Sequence, residues 1–557
     1  MIKKLSLLVL SLLLFFPIFC FCLWFYFDIP IFDTPQTAIH IFNDLGKKKM
    51  KLNVYFSFAF ALIPPLFGFL NLFQKPQKES FGKARFAEKK DLKKMGLNFK
   101  RGFVLAKKWG KKIHYNDPLS LLCFAPPSSG KTQAVCVPIC SSFPHSMIIL
   151  DVKGEIWEKT SKIREKELNN KILVFEPYAK DKSKNTLFFN PFAKHILENK
   201  SISEVDRLLK TISKTIFKKE EVKDPHWIEN AESIFILLAH YEIQKKGETT
   251  FYDLTTFLAQ DLISLLDDEN RNEYYGLVAE GIEIDPLKFF LKKLGEDQSV
   301  DDLIRVRANR FERTPSKEFG SIRSSYETAM QDFLNYEIKY ATSEMNFDYE
   351  DLRNQNITIY VKVLEADRNA LSKIIRIMFE VISLNLLMRE SKRDDERVVF
   401  MLDEFPSFGK FDFLLELPRI SRSYNIVLML FAQSASQIKK TYSEDDLDII
   451  NEIVGYKLFF GANTKKTADY ISESIGDFTR TKESQSRQDL NFFGSTNISE
   501  EGYKLFTSQD LMNLRDNEVI IQVMKYYSTP LIAEANFWFE DKKLAKKINQ
   551  FTIKENQ

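Results

Sequence analysis

Two stretches carry residues of the right type and spacing for phosphate chemistry. The first is Leu122-Cys123-Phe124-Ala125-Pro126-Pro127-Ser128-Ser129-Gly130-Lys131-Thr132. It reads as an apolar strand, a tight loop and the start of a helix. Such a loop aims backbone N–H groups and a helix N-terminus at anionic oxygens. Ser128, Ser129 and Gly130 supply that backbone, and glycine permits a conformation that a side chain hinders. Lys131 is placed to bridge β- and γ-phosphate oxygens, and the Thr132 hydroxyl to ligate Mg2+. Ala125 stands where the general pattern has its first glycine, and Gly-Lys-Thr alone arises by chance. The match therefore depends on what surrounds it.

The second stretch is Val398-Val399-Phe400-Met401-Leu402-Asp403-Glu404, an apolar strand ending in two carboxylates. Beside a phosphate loop, Asp403 holds Mg2+ directly or through water, and Glu404 polarises an attacking water as general base. Without the upstream loop the pair reads as a solvated turn. Together the stretches form the two halves of a site that hydrolyses ATP with Mg2+. Gln433 follows the next apolar strand, where an amide orients water, with a surface polar residue as the competing reading. Arg422, in Arg419-Ile420-Ser421-Arg422, reads either as an arginine delivered to a neighbouring subunit's site or as a surface ion pair.

These residues need a parallel sheet to hold them. Strands are expected at 119–124, 146–150, 171–175, 357–363, 397–402, 426–431, 457–462 and 518–523. Helices at 132–142 and 369–390 alternate with them, which makes the fold α/β. Between 192 and 345 the pattern turns amphipathic and helical, with expected helices at 202–216, 227–245, 251–266 and 302–313. An all-α domain is thus inserted in the nucleotide-binding domain. The expected organisation is an anchor at 1–78, a nucleotide-binding domain at 79–191 and 346–545, the helical insert at 192–345, and a tail at 546–557. The lysine-rich text after Asp541 reads as a solvated helix end.

The 557 residues exceed one compact core. Lys plus Arg total 79 against 76 Asp plus Glu, so a net charge of +3 excludes binding nucleic acid by bulk charge alone. The five cysteines form neither a disulfide framework nor a zinc pattern, and Cys123, Cys136 and Cys140 read as buried thiols. Residues 5–27 and 54–74 are two uncharged runs, the second carrying Pro64-Pro65. Both are long enough to span a bilayer as helices. The first lacks a small-residue cleavage site, so a retained two-helix hairpin is expected rather than a signal peptide. Lys3 and Lys4 precede it, and Lys75, Lys78, Lys83 and Arg85 follow the second run, which places both ends inside. Lys47, Lys48, Lys49 and Lys51 in the intervening loop oppose that orientation.

The chain resembles the coupling proteins of type IV secretion and conjugation systems, the TraG/TraD-like ATPases. The resemblance rests on the two apolar runs, Phe81-Gly82-Lys83-Ala84-Arg85-Phe86-Ala87 and the loop at 125–132, where alanine in first position is usual for that family. It continues through Leu150-Asp151-Val152-Lys153-Gly154-Glu155, Asn190-Pro191-Phe192 and Asp224-Pro225-His226-Trp227. Leu402-Asp403-Glu404-Phe405, Gln433-Ser434-Ala435-Ser436-Gln437 and the closing strand region at 511–523 complete it. It implies a RecA-like P-loop domain with an all-α insert and a two-helix transmembrane anchor. It further implies a homo-hexamer on the bacterial inner membrane with its main body cytoplasmic. Secretion-channel components and relaxase-bound single-stranded DNA or effector proteins would be its partners. Lys131, Glu404, Gln433 and Arg422 take the catalytic roles, Ala125, Pro126, Pro127, Ser128, Ser129, Gly130, Lys131 and Thr132 hold nucleotide, and Thr132 and Asp403 hold the metal. Pro127 departs from a frequent threonine. The alternatives are an FtsK-like double-stranded DNA translocase, which needs four membrane runs, and a nucleotide-binding receptor without hydrolysis.

Overall fold

A computed structural model describes residues 2–27, 33–43, 52–66, 69, 81–180, 183–219, 225–391, 393, 396–420, 422–486 and 495–552. Asp224 of the expected helical signature lies outside them. The chain divides into two units, Met1–Ser80 and Phe81–Gln557.

In the first unit, α1 spans Ile2–Phe27, α2 Thr34–Asn43 and α3 Leu52–Ala61. Phe19 is fully buried with Ala38 and Ala61, and Phe58 meets Phe15 and Phe19 edge to face. Of the helix expected over 54–74, residues 67–68 and 70–74 lie outside the described residues. α3 stops at Ala61, the backbone turns at Leu62, and residues 63–66 are helical again, with the Leu66 N–H donating to the Leu62 carbonyl at 3.0 Å. Proline lacks a backbone donor, which a helix tolerates in its first turn, where Pro64-Pro65 fall. Among the described residues, no helix is long and apolar enough to cross a membrane.

The second unit is built on a 12-stranded sheet. Its strands are β1 (Leu97–Asn98), β2 (Phe103–Lys108), β3 (Lys111–Tyr115), β4 (Leu121–Phe124), β5 (Met147–Val152), β6 (Lys171–Phe175), β7 (Ile357–Val363), β8 (Val398–Leu402), β9 (Ile426–Ala432), β10 (Tyr456–Phe459), β13 (Glu518–Val523) and β14 (Leu531–Glu534). A separate pair, β11 (Asp477–Ser486) and β12 (Ser495–Lys504), forms an antiparallel ribbon. The order is β1-β3-β2-β14-β13-β10-β4-β9-β8-β5-β7-β6. From β10 to β6 every neighbouring pair is parallel. β13, β14, β2, β3 and β1 extend it antiparallel.

β4, β5, β7, β8 and β9 are buried along their whole length, as strands covered on both faces must be. Their side chains alternate between two cores with the strand period of two. Leu122, Phe124, Ile148, Leu150, Phe400 and Leu402 enter one core with the helices Ile202–Ile216, Pro225–Lys246 and Arg368–Leu386. Leu121, Cys123, Met147, Ile149, Val399 and Met401 enter the other, which also takes Cys136, Cys140 and Ile156. Cys123, Cys136 and Cys140 are thus buried free thiols as expected.

Between β6 and β7 the described residues form helices and turns, without a named strand. Two expectations fail there and beyond. The helix expected over 251–266 is Phe251–Thr256 followed by two 3-10 turns. Thr255 and Thr256 hydroxyls donate to the carbonyls of Phe251 and Tyr252, and the Asp261 carboxylate caps the Ile263 N–H, so local side chains compete with the helix. The text after Asp541 is a docked helix, Lys542–Phe551, whose Ile548 is buried against Val137 and Ile163.

Candidate active site

β4 delivers the loop. Ala125 donates its N–H to the Ala432 carbonyl at 3.0 Å, fixing the loop start beside the end of β9. Ser128 (φ 61) and Gly130 (φ 81) then reverse the chain into a π-helical turn, Thr132–Cys136. A Cβ added at Gly130 would lie 2.5 Å from Cε1 of Phe537. Backbone conformation and close approach both require glycine there. π turns in this position widen a helix start and recur at functional sites.

β8 delivers the carboxylates. Asp403 donates its backbone N–H to Leu150 at 3.2 Å, so the tip of β8 stays in register with β5. Glu404 then takes a left-handed conformation (φ 53), which a residue with a Cβ adopts only where the surroundings compel it. Lys131 Nζ lies 2.9 Å from Asp403 Oδ1 and 3.4 Å from Glu404 Oε1. Gln433, just past β9, donates from Nε2 to the same Glu404 Oε1 at 3.0 Å. Its own backbone N–H donates to Gln437 Oε1 at 3.0 Å, and Gln437 Nε2 donates to Ser407 Oγ at 3.2 Å. Gln433 is therefore held through both its backbone and its side chain.

The electrostatics divide the two acids. Burial pushes the Asp403 carboxyl above its ordinary range, against the pull of Lys131. Burial acts the same way on Glu404 but is outweighed by Lys131 and the Gln433 hydrogen bond, leaving it below its ordinary range. Burial works against the Lys131 ammonium, and the two carboxylates more than offset it. Glu404 is thus charged at neutral pH with one oxygen engaged by two donors. Lys131, Asp403 and Glu404 enclose a cavity of about 310 Å³, also lined by Ser129, Gly130, Thr132, Lys153 and Glu155. Ser129 Oγ is buried there without a hydrogen-bond partner among the described residues. An ammonium, the backbone of a helix start, a hydroxyl and a carboxylate are the donor set that a magnesium polyphosphate needs.

Residues 79–557 match the family described as type IV secretory system conjugative DNA transfer. The chain belongs to this family. It is 25% identical over 443 residues to a conjugal transfer protein TraG of Escherichia coli, covering 72% of this chain and 65% of that protein. It is 24% identical over 488 residues to the VirD4 protein of Rhizobium rhizogenes, covering 82% of this chain and 67% of that one. Its mixed α/β fold is similar to that of the bacterial conjugative coupling protein TrwB lacking its N-terminal segment, with a TM-score of 0.59 at 14% identity over 84% of this chain and 95% of that one. TrwB has also been solved with the ATP analogue ADPNP, TM-score 0.57 at 14% identity over 84% and 96%, and with ADP and Mg2+, TM-score 0.58 at 15% over 83% and 96%.

Within this family fold, the ends of β4, β8 and β9 bring Lys131, Thr132, Asp403, Glu404 and Gln433 together. Ala125 and Pro126 are buried at the loop base, whereas Pro127 and Ser128 are exposed at its tip. Arg422 is not part of this cluster. It is exposed and precedes β9, so the strand's 7 residues separate it from Gln433 by about 20 Å, at roughly 3.3 Å per residue. A larger cleft of about 1130 Å³ begins at Ala435 and Ser436 and reaches the buried Lys457, without holding any of the carboxylates of the site.

Sequence reasoning marked Asp151-Val152-Lys153-Gly154-Glu155 without a role in the site. Asp151, next to last in β5, is fully buried, one oxygen accepting the Trp157 N–H at 2.7 Å and the other without a partner among the described residues. Burial, with the charge of Asp403 nearby, pushes it up to about 7. Lys153 (φ 82) and Glu155 line the cavity, and Glu155 Oε2 accepts from Gln133 Nε2 at 3.1 Å. The signal was a polar run at the C-terminal end of a parallel strand, where α/β sheets place ligands.

Proposed function

We propose that this chain is a membrane-associated ATPase that recruits relaxase-bound single-stranded DNA, effector proteins or both, and drives them into a type IV secretion channel. The observation that carries the reading is the convergence of Lys131, Asp403 and Glu404 on one cavity, with Gln433 hydrogen-bonded to Glu404. Ser128 to Gly130 and Lys131 fit the phosphates, and Thr132 with Asp403 fits Mg2+. ADPNP-bound and ADP–Mg2+-bound TrwB support ATP and Mg2+ as the ligands. When bound, the magnesium nucleotide supplies a phosphoanhydride bond to be broken by water. Glu404 is charged and positioned to accept a proton from that water at its carboxylate. Gln433 holds Glu404 in place through its amide NH2, whose second N–H is the donor proposed to orient water. Lys131, now between the two acids, is the group that trades carboxylates for phosphate oxygens.

Assembly is proposed as a hexamer on the bacterial inner membrane, with the body cytoplasmic. The exposed apolar side chains of Leu10, Leu13, Phe21 and Phe25 on α1, and of Phe56 and Phe60 on α3, support the membrane reading. The match to TraG and VirD4 supports the secretion role. ATP turnover by Lys131→Ala and Glu404→Gln proteins is the test. Glu404→Gln is expected to retain nucleotide and lose about 10²- to 10⁴-fold in turnover. Unchanged turnover in both variants overturns the hydrolase.

A further inference from the structure

The cavity that suits a polyphosphate is lined by charged and small residues and contains no aromatic ring. At about 310 Å³ it sits at the low end of ligand cavities and leaves the base and sugar of a nucleotide to be met beyond it. One segment stands at that border. Asn536, Phe537, Trp538 and Phe539 follow β14 and run directly onto the phosphate loop. The Phe537 ring lies against Gly130, as close as an absent Cβ allows. Trp538 Nε1 donates to Gln133 Oε1, and Gln133 Nε2 donates in turn to Glu155. Gln133 and Glu155 both line the cavity. Phe537 stacks on Phe539 with centroids 5.2 Å apart and planes 13° from parallel. Phe537 and Trp538 are half-buried, while Phe539 is 54% exposed.

The segment is tethered on both sides. Ala535 donates to the Asn517 carbonyl at 2.8 Å, Asp541 pairs with Lys112, and the following helix buries Ile548. Between these tethers Asn536 is fully buried, yet neither its amide nitrogen nor its amide oxygen has a partner among the described residues. A buried amide left unpaired at both ends marks a place whose polar complement is missing.

We propose that residues 536–539 form the base side of the nucleotide site. Phe537 and Trp538 supply a flat apolar wall for a purine, and the Trp538–Gln133–Glu155 relay links that wall to the phosphate cavity. This inference rests on the nucleotide reading above. Stacking on an aromatic wall depends on the base and is indifferent to the phosphates, so the two halves of the ligand separate experimentally.

The test uses the full chain with Mg2+, titrated with ADP or with inorganic pyrophosphate. Trp538 fluorescence is isolated from that of the five tryptophans by subtracting a Trp538→Phe protein. ADP is expected to change the Trp538 signal and pyrophosphate to leave it unchanged. Phe537→Ala is expected to weaken ADP binding about five- to a hundredfold while pyrophosphate binding stays within about twofold. Phe537→Leu, which keeps the bulk, controls for misfolding and is expected to weaken ADP binding less. If ADP binds the parent protein but neither Phe537 variant nor the Trp538 signal responds, the base wall is wrong and the nucleotide site stands. If the parent binds neither ligand, both readings fall.

Discussion

Replacing Lys131 by methionine should destabilise the ligand-free protein in a pH-dependent way. The ammonium sits 2.9 Å from Asp403, with the two side chains only 12% and 8% exposed. Removing one partner of a buried pair leaves an uncompensated charge and costs about 3–5 kcal/mol. Asp403 has a route out, because a carboxyl can take a proton. Burial already holds it above its ordinary 3.8, and Lys131 is the strongest force pulling it down. Without Lys131 it rises further. A carboxyl whose folded value exceeds its unfolded one favours the fold below the unfolded value and loses that contribution as pH rises through the folded value. The stability gap between parent and variant should therefore be narrow near about pH 5 and approach the full 3–5 kcal/mol near about pH 8. Asp151, pushed up to about 7 in part by the charge of Asp403, titrates over the same range, so the difference between the two proteins reports the coupled pair. Urea unfolding midpoints at the two pH values, taken without nucleotide, measure the gap. A gap that is equal at both, or wider at the acidic one, refutes the reasoning.

Two further outcomes are expected. Arg422→Ala should lower ATP turnover only in assembled oligomers, because Arg422 is exposed and lies at the opposite end of β9 from Gln433; monomers that lose activity equally would show the trans-acting role to be wrong. Arg164→Met should lower stability by about 3 kcal/mol or more, read as a reduced urea midpoint. Arg164 is fully buried, with its donors spent on the carbonyls of Cys140, Phe143 and His145, on Thr358 Oγ1 and on Asn170 Oδ1, so methionine strands those acceptors.

Much of the fold was legible where local signals agree with burial. β6, β7 and β13 and the helix Ile202–Ile216 coincide with their expected spans. That helix carries a full capping box between Ser201 and Glu204 and a continuous apolar stripe, so its ends are written locally. The helix Asp268–Ala279 buries no residue and so has no stripe to read. The β2–β3 hairpin was overlooked although Trp109 (φ 51) and Gly110 (φ 69) both take the left-handed conformation of a tight hairpin turn. Trp-Gly lacks the asparagine or aspartate that usually announces such a turn. In the site, Lys131, Asp403 and Glu404 were legible because loop and strand each carry their own chemistry. Asp151 and Glu155 were visible as a motif but silent about their place.

Residue type and local spacing determined the phosphate loop, the paired carboxylates and the α/β rhythm, since each depends on neighbours a few residues away. The order of strands decided the rest. Inserting β9 between β4 and β8 puts Gln433 beside Glu404, although 29 residues separate them. Only β14 and the tether beyond it could bring Phe537 against Gly130 and Trp538 onto Gln133, some 400 residues upstream, the latter pair being 405 apart. No sequence period extends that far. Such contacts are set by which strands pair, and pairing is chosen by the burial of whole faces rather than by any single residue.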